Sequence, residues 1–295
     1  MKETLSDSMR RVAFLTLHDP TGFVIDDDLA HAPLARRGVA VENVPWDRAG
    51  MSWTDYDLIV LRSTWDYQHH ADKFLATLGA IEQGGTPLQN ASDIVRWNMP
   101  KTYLRELEER GVPVVPTLWR ERLGPGELLP LFDSAGSDEA VIKPVVSANA
   151  QGAYRLDRKT AAARAGEIEA YFAKRPLMMQ PFERNIVTEG EFSLIYFNGK
   201  LSHSILKVPK CGDFRVQEEH GGDIQAIRAD AALTAAGDAA MRAIGSTLLY
   251  GRVDLVRSGQ EFRVMELELI EPALYLRMDP GAPDRFADAV VSVLD

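Results

Sequence analysis

Three acidic residues stand on two apolar segments near the end of the chain. Asp254 is the only acid in the segment GRVDLV, and Glu266 and Glu268 alternate with apolar residues further on. Alternate side chains of a strand share a face, so a hairpin turning near Ser258 and Gly259 would bring the three carboxylates together. Crowded carboxylates repel unless a cation offsets them, and Mg²⁺ binds carboxylates together with nucleotide phosphates. The alternative is an edge hairpin whose acids face solvent.

Lys143 is the second candidate, because it stands near the end of an apolar segment. The small-residue loop 147–153 follows it. A lysine in that place can reach a phosphate group while the loop backbone approaches the same group. The alternative is a solvated lysine at a strand end, since the loop holds only one glycine.

A further basic segment contains Lys207, Lys210 and Arg215, with glycines close by at positions 212, 221 and 222. A glycine-bounded loop of this kind could close over a transferring phosphoryl group. Arginine suits that role because its planar fork donates two hydrogen bonds to phosphate. Taken alone, a basic residue in a turn is usually a solvated charge.

The order of these segments, rather than any one of them, resembles the ATP-grasp ligases. The Gly-Asp-Phe-Arg loop followed by Gly-Gly is similar to the branch that contains glutathione synthetase and the ribosomal S6 glutamate ligases. Arg-Val-Asp before the acidic pair is similar to D-alanine–D-alanine ligases. The resemblance covers roughly residues 90–280, through residues 90–101, Lys143-Pro144, Met178–Phe182, Gly212–Arg215, Arg252–Asp254, Glu266 and Glu268.

This resemblance implies which residues hold ATP. Two lysines would contact the phosphates, with the loop 147–153 folded over them. A three-residue hinge would bond to adenine through its backbone, and a glutamate would bind the ribose hydroxyls. In chain order these residues are Lys101, Lys143, Ser147, Gln180, Pro181, Phe182 and Glu191.

The resemblance also implies the groups that surround the reacting atoms. Lys207 and Arg215 would stabilise the transferred phosphoryl group. Arg252 would polarise an acyl phosphate or the tetrahedral intermediate that follows it. The metal ligands would be Asp254, Glu266 and Glu268, which would hold two magnesium ions bridging phosphate oxygens.

Three positions depart from the family pattern. Ser193 stands where relatives often carry an arginine, so that arginine's role is not carried over. Glu268 and Gln217 each replace a common asparagine, and Glu268 can still bind magnesium.

The segment that begins at Arg62 is the candidate substrate site. It resembles a small ATP-grasp subgroup that includes the O-ureido-serine cyclo-ligase of D-cycloserine biosynthesis. Arg62 could pair with a carboxylate and Asp66 with an amino group, while aromatic rings wall the pocket, which suits an amino-acid-like zwitterion. The alternative is that the two aromatic residues only cover a lobe interface, and Glu271 has an equally good structural interpretation. The candidate set is Arg62, Ser63, Trp65, Asp66, Tyr67 and Glu271.

The elements needed to position these groups alternate in type at the start of the chain. Strands are predicted at 11–17, 39–44 and 56–61, with helices at 28–37 and 71–83. This alternation predicts a parallel sheet, and ligands of such sheets lie beyond the carboxyl ends of the strands. Arg62 directly follows the third strand, so its segment falls at that edge.

Later elements are predicted mostly as strands. A helix runs from residue 92 through Lys101 to 110, with Pro100 able to break it, and a strand with two prolines follows at 111–118. Asn198-Gly199 predicts a hairpin. The other strands are expected at 139–144, 177–180, 191–197, 201–206, 252–256 and 262–269, and helices at 161–173, 231–244 and 283–294.

Composition limits the classes of function. The net charge is −10, which argues against a nucleic-acid binder. A single cysteine leaves no intrachain disulfide framework. No apolar run approaches the roughly 20 residues that span a bilayer. A cytoplasmic enzyme with a small-molecule substrate, and with neither nucleic acid nor membrane as partner, is the expectation.

The fold predicted is a mixed α/β and α+β ATP-grasp fold. An open parallel α/β lobe (1–92) would precede two α+β subdomains that clasp ATP, a small lid (93–182) and a large subdomain with the magnesium site (183–295). The function expected is an ADP-forming carboxylate–amine ligase working through an acyl phosphate. Ring closure within one molecule and joining of two molecules both remain open.

Two other classes of function remain as alternatives. One is a non-catalytic ATP-binding regulatory module of the same fold, and the other is a sugar kinase or mutase. A homo-oligomer is expected by analogy with enzymes of this fold.

Overall fold

The computed structural model describes residues 9–147 and 152–295. Its first sheet is parallel, with strand order β2-β1-β3-β4. Apolar runs form the central strands because helices cover both faces of the sheet. The elements are β1 (Arg10–Thr16), α1 (His31–Arg36), β2 (Val39–Pro45), β3 (Leu58–Leu61), α2 (Ala71–Gln83) and β4 (Leu88–Gln89).

The helix predicted at 28–37 is shorter in the structure. A 3₁₀ turn occupies Asp27–Ala30, and α1 begins only at His31. Pro33 accounts for this start, because its ring would clash with the carbonyl of residue 29 in a longer α-helix. By contrast, α2 has the predicted bounds and buries Phe74, Leu78 and Ile81 at helical spacing.

The single helix predicted between 92 and 110 is two helices, α3 (Ser92–Asn98) and α4 (Tyr103–Glu109). Pro100 lies in the break between them. Lys101 is in the same break, and its backbone N–H donates to Val145 O at 2.8 Å. This hydrogen bond holds Lys101 beside Val145, which directly follows β6 and lies two residues after Lys143.

The second sheet is antiparallel, in the order β5-β8-β6-β7. Its helices pack Leu131, Phe132, Ile168 and Phe172 against Ile142 of the sheet. The elements are β5 (Leu118–Arg120), α5 (Leu128–Ser134), β6 (Glu139–Pro144), β7 (Tyr154–Asp157), α6 (Arg158–Phe172) and β8 (Leu177–Pro181).

The strand predicted at 111–118 is wrong in its extent. Only the last residue of the predicted strand, Leu118, lies in the second sheet, where it begins β5. The preceding residues pair elsewhere: Val115 N–H donates to Val264 O at 3.1 Å, and Val264 N–H donates to Pro113 O at 2.9 Å. Proline lacks an N–H, so a segment with two prolines cannot continue as a regular strand.

The third sheet is antiparallel, in the order β11-β10-β9-β12-β13. Asn198 and Gly199 form the predicted hairpin, and both adopt positive φ, 47° and 72°. The elements are α7 (Asn185–Thr188), β9 (Glu191–Phe197), β10 (Lys200–Val208), β11 (Asp223–Ile227), α8 (Ala231–Ala243), β12 (Tyr250–Ser258), β13 (Glu261–Glu268) and α9 (Ala282–Leu294).

Five short elements, β4, α5, β7, α7 and β11, were not predicted. α5 contains a proline, which argues against a helix when read from sequence, although Pro130 falls in its first turn, where proline is tolerated. β7 has four residues, and β11 buries none of its side chains fully, so neither carries an apolar period.

Helix α9 packs between the first and third sheets. The ring of Phe286 lies 6.1 Å from that of Phe14 in β1 and 5.2 Å from that of Phe197 in β9. These residues belong to one buried apolar cluster that joins the two sheets. Among residues 9–147 and 152–295, no helix is long and apolar enough to span a membrane.

Candidate active site

A cavity opens where the second and third sheets meet the segment after β3. The α3–α4 break closes one side, and the chain after β13 closes another. Most of the side chains predicted from the sequence lie in its wall. They are Trp65, Tyr67, Lys101, Lys143, Ser147, Gln180, Pro181, Phe182, Glu191, Lys207, Arg215, Arg252, Asp254, Glu266, Glu268 and Glu271.

Arg62, Ser63 and Asp66 are not part of this wall, which corrects the prediction that they contact substrate. Arg62 is 1% exposed, and its Nε donates to Asp27 at 3.0 Å. Ser63 is fully buried, and Asp66 accepts a hydrogen bond from Trp46 Nε1 at 2.7 Å. After Leu61 the chain leaves the strand and turns into a 3₁₀ turn at Tyr67–His69, and this path brings Trp65 and Tyr67 to the cavity while it keeps Arg62, Ser63 and Asp66 out of its wall.

Arg252 holds two of the predicted carboxylates. It lies opposite Glu268 in the β12–β13 ladder, and the two side chains form an ion pair. Its Nε also lies 3.0 Å from Asp254 Oδ1. Burial disfavours ionisation of Asp254, but Arg252 and Lys207 outweigh it and hold the pKa of this carboxyl below its ordinary value.

Lys207 extends this network to the neighbouring strands. It pairs with Glu191 across the β9–β10 ladder, and its Nζ lies 3.3 Å from Asp254 Oδ2. Burial lowers the pKa of Lys207, but the negative charges of Asp254 and Glu191 raise it by more, so the pKa of Lys207 is above its ordinary value. Ser193 donates to Asp254 from the same sheet, where relatives were expected to carry arginine. Alternating charges therefore line the floor of the cavity.

Two further lysines lie beside Glu266. Lys101 forms an ion pair with this carboxylate, and its Nζ donates to Ser147 O at 3.0 Å. Lys143 faces the cavity from deep within the protein, where poor hydration lowers its pKa although Glu266 acts in the opposite direction. Burial raises the pKa of Glu266, but the two lysines lower it by more, so the pKa of Glu266 is below its ordinary value. The two lysines share the single carboxylate of Glu266, and a polyanion such as a triphosphate would add further negative charge beside them.

The other acids of the cavity are short of positive charge. Burial raises the pKa of Glu268 to about 7, with Asp254 and Glu266 adding to the increase against the opposing effect of Arg252. Burial also raises the pKa of Glu271 to about 8, with a contribution from Glu268. A divalent cation would offset this crowding, so the donor set of Asp254, Glu266 and Glu268 fits magnesium in chemistry.

Each member of this donor set is already paired with lysine or arginine. In the part of the chain that the structure describes, no group of three or more His, Cys, Asp or Glu side chains is arranged to hold a metal ion. Binding of magnesium would therefore require some of these ion pairs to rearrange.

One part of the cavity wall is an apolar cluster formed by Val115, Val141, Phe182, Ile186 and Met265. An adenine ring would bury its faces there. The hinge expected to bond to adenine has few free donors. Phe182 N–H already donates to Glu139 O at 2.9 Å, Pro181 has no N–H, and the Gln180 side chain donates to Thr117 Oγ1 at 3.0 Å.

Arg215 lies at the cavity wall with its guanidinium turned back on its own loop. Its Nη2 lies 2.7 Å from Asp213 Oδ2. Contact with a phosphoryl group would require this pair to open, which is inexpensive because both side chains are partly exposed. The predicted loop over the phosphates, 147–153, lies partly outside the described residues, at 148–151.

The sequence did not indicate several side chains that line the cavity. Tyr275 adopts a left-handed backbone conformation with φ 47°, and the Arg252 guanidinium lies 5.7 Å from its ring. Asn98 bonds to Leu267 O at 2.8 Å and to Leu269 N–H at 2.9 Å, continuing the edge of β13. Neither residue belongs to a periodic pattern, so only geometry could reveal them.

Lys101 and Lys143, an acidic floor and an aromatic wall therefore meet in one cavity. Such a site can bring a nucleotide triphosphate and a small polar molecule together. The cations beside Asp254 can stabilise negative charge that develops between the two.

The chain is similar to known proteins over nearly its whole length. A family profile for the N-terminal domain of the D-cycloserine synthetase DcsG matches residues 12–90. The cycloserine biosynthesis protein DcsG of Streptomyces lavendulae is 29% identical over 297 residues, covering 94% of this chain and 97% of that protein. The crystal structure of D-cycloserine synthetase DcsG has a TM-score of 0.84 and 28% identity, covering 97% of this chain and 100% of that one.

More distant solved structures share the fold. An ATP-grasp RimK domain protein from Sphaerobacter thermophilus has a TM-score of 0.70 at 17% identity, covering 95% of this chain and 99% of that one. D-alanine–D-alanine ligase of Bacillus anthracis has a TM-score of 0.68 at 13% identity, covering 97% of each chain. The predicted ATP-grasp fold is confirmed, and the chain is similar over nearly its whole length to the D-cycloserine synthetase DcsG.

Proposed function

We propose that this protein joins a carboxylate to an amine at the expense of ATP, through an acyl phosphate, with release of ADP and phosphate. The observation that carries the proposal is the arrangement of the cavity. Lys101 and Lys143 lie beside Glu266, and Arg252 and Lys207 lie beside Asp254. Trp65, Tyr67 and Glu271 form a further part of the same wall.

The reaction has two steps that this arrangement supports. A substrate carboxylate oxygen attacks the γ-phosphorus of ATP, and the bond to the β-phosphate oxygen breaks to release ADP. An amine then attacks the acyl carbon, the carbon–oxygen bond to phosphate breaks, and the amine proton is lost. Arg252 would stabilise charge on the acyl oxygen, and Lys207 would hold Asp254 and Glu191 in place beside it.

Lys101 and Lys143 would bind the ATP phosphates, and Arg215 would contact the phosphoryl group during its transfer once its pair with Asp213 opens. The apolar cluster in the cavity wall would take the adenine ring. Asp254, Glu266 and Glu268 would hold magnesium, which when bound offsets phosphate charge and orients the phosphoryl group.

The substrate proposed is small and amino-acid-like. Trp65 and Tyr67 supply flat apolar walls, and Glu271 supplies a carboxyl group that can accept hydrogen bonds from an ammonium group. Similarity to a D-cycloserine synthetase over nearly the whole chain favours ring closure within one molecule over the joining of two.

ADP release measured with MgATP across a panel of amino acids and O-substituted serine derivatives, with product masses recorded, tests the proposal. A variant with Arg252 replaced by glutamine, purified in parallel, controls for contaminating ATPases. ADP release with a product lighter by water or by a small leaving group, and with no second amine present, supports ring closure. Release only with a second amine supports a two-substrate ligase.

Two outcomes would contradict the proposal. Absence of stimulated release by every compound in the panel would remove the amino-acid-like substrate. A product that keeps a phosphate group would indicate a kinase instead of a ligase.

A further inference from the structure

The chain between β13 and α9 includes an irregular segment, residues 269–275, here called the substrate loop. It has no helix or strand, yet Ile270, Glu271, Ala273 and Tyr275 line the cavity. Irregular backbone buried beside a cavity needs partners for its polar groups, since an unpaired buried carbonyl is costly. The structure shows where these partners come from.

Six successive carbonyl oxygens of the substrate loop, from 269 to 274, each bond to a side chain. Three donors come from the N-terminal part of the chain: Asn90 Nδ2 to Leu269 O at 2.7 Å, Trp65 Nε1 to Glu271 O at 2.7 Å and Arg62 Nη2 to Pro272 O at 2.9 Å. Three come from the third sheet: Tyr250 Oη to Ile270 O at 2.8 Å, Arg252 Nη1 to Ala273 O at 3.1 Å and His203 Nε2 to Leu274 O at 2.9 Å.

Arg62 is the most deeply buried charge among these donors. Besides Pro272 O it contacts Asp27 and Leu61 O. Its guanidinium lies over the ring of Tyr250 at 5.0 Å and over that of Phe286 at 5.7 Å. Every direction of the planar fork is therefore occupied by protein, and none faces the cavity.

We propose that Arg62 is a positioning residue that fixes the substrate loop through Pro272 O, so that Glu271 and Tyr275 face the substrate in one geometry. The proposal rests on the proposed function for what these two side chains contact. It explains why a buried arginine directly follows β3, where a substrate contact was expected from the sequence. Small displacements of groups that hold a substrate lower turnover, even when their cause lies outside the site.

The test compares three variants. Replacing Arg62 with methionine together with Asp27 by asparagine removes the bond to Pro272 O without leaving a lone buried charge. Asp27→Asn alone keeps Arg62 and its bond to Pro272 O. Arg37→Gln removes a different arginine that also joins the N-terminal part to α9, through Asp284 and Asp288, and that does not touch the substrate loop.

Two readouts need no known substrate. Hydrogen–deuterium exchange of peptides covering 269–278 should rise by about tenfold in the double variant and stay near wild type in Arg37→Gln. Asp27→Asn, which keeps the bond to Pro272 O but leaves the buried guanidinium without its charge partner, should show a smaller rise than the double variant. The affinity for a non-hydrolysable ATP analogue should stay within about twofold in all three, because none of the six bonds that hold the loop carbonyls involves Lys101 or Lys143.

The third readout uses whichever compound supports turnover in the panel described above. In the double variant, kcat/KM for that compound should fall by roughly ten- to a hundredfold while KM for ATP stays unchanged. Exchange no faster than in Arg37→Gln, or an equal loss of nucleotide affinity, would overturn the proposal. If no compound supports turnover, the proposed function fails while exchange and nucleotide affinity still decide the role of Arg62.

Discussion

Asp254 and Glu266 are direct neighbours across β12 and β13, yet their carboxylates engage different cations. Asp254 is held by Arg252 and Lys207, whereas Glu266 is paired with Lys101. A bulge after Asp254 shifts the register of the two strands at this point. One pair of adjacent acids thus links the cations beside the reacting groups to the lysines proposed to bind phosphate.

Replacing Glu266 with glutamine should remove magnesium-dependent turnover, because an amide is uncharged and binds a hard divalent cation poorly. We expect kcat to fall by at least about a hundredfold, the scale of losing one charge-stabilising group. ADP release measured against magnesium concentration checks this. Glu261→Gln, an exposed acid at the start of the same strand, is the matched control. Undiminished magnesium-dependent activity in Glu266→Gln would refute the metal assignment.

Replacing Arg215 with lysine should separate charge from hydrogen-bond geometry. Lysine keeps the positive charge but cannot donate the paired bonds of a guanidinium. We expect kcat to fall by about tenfold with a smaller change in KM for ATP, as for an interaction made mainly in the transition state. Steady-state kinetics give both values. Arg164→Lys, at a partly exposed position of α6, should leave both unchanged. A rise in KM alone would place Arg215 in ground-state binding.

Glu271 should make the stability of the protein depend on pH. Its folded pKa is about 8, above the ordinary value of 4.5. Between these values the folded protein keeps a proton that the unfolded chain releases, so the free energy of unfolding falls as pH rises. Glu271→Gln removes this loss. The melting temperature of Glu271→Gln relative to that of wild type should therefore increase from about pH 5 to about pH 8. A difference in melting temperature that stays constant over this range would contradict the prediction.

The sequence was most informative where a regular period coincided with a chemical group. The β12–β13 hairpin follows directly from alternating apolar residues, and its register puts Asp254, Glu266 and Glu268 on a common face as predicted. Lys143 was placed correctly near the end of β6 for the same reason. Patterns of period two determine which face a side chain occupies, so the acidic floor could be predicted without a structure.

The same reasoning failed where contacts join distant segments. Arg62 and Asp66 have the types expected of a substrate site, and only the fold shows that their partners are Asp27 and Trp46. The substrate loop has no period at all, and its backbone is held by side chains from well before and after it in sequence. Such contacts depend on packing between elements, which local patterns do not encode.

Asn98 should contribute to stability through the end of β13. Its amide bonds to Leu267 O and Leu269 N–H, both buried, and so takes the place of a neighbouring strand. Asn98→Ala leaves two buried backbone groups without partners, which should lower the free energy of unfolding by roughly 2–4 kcal/mol. Chemical denaturation measures the loss. Asn43→Ala, which removes an exposed amide bond to Asp28, should cost less than about 0.5 kcal/mol.

Two helical glycines should respond in opposite directions to the same substitution. A Cβ at Gly237 of α8 would lie 2.5 Å from Tyr196 Oη and 2.6 Å from Leu194 Cδ2, so the helix packs against the sheet through the missing side chain. Gly237→Ala should therefore lower the free energy of unfolding by about 1–3 kcal/mol, the usual cost of overpacking. A Cβ at Gly79 of α2 would meet nothing within 4 Å, and Gly79→Ala should raise the free energy of unfolding by roughly 0.5–1 kcal/mol through helix propensity. Chemical denaturation of both variants gives the two signs. An equal change in the free energy of unfolding for the two variants would show that α8 can shift away from Tyr196. The close contact between α8 and β9 would then not fix the position of the sheet that carries the acidic floor.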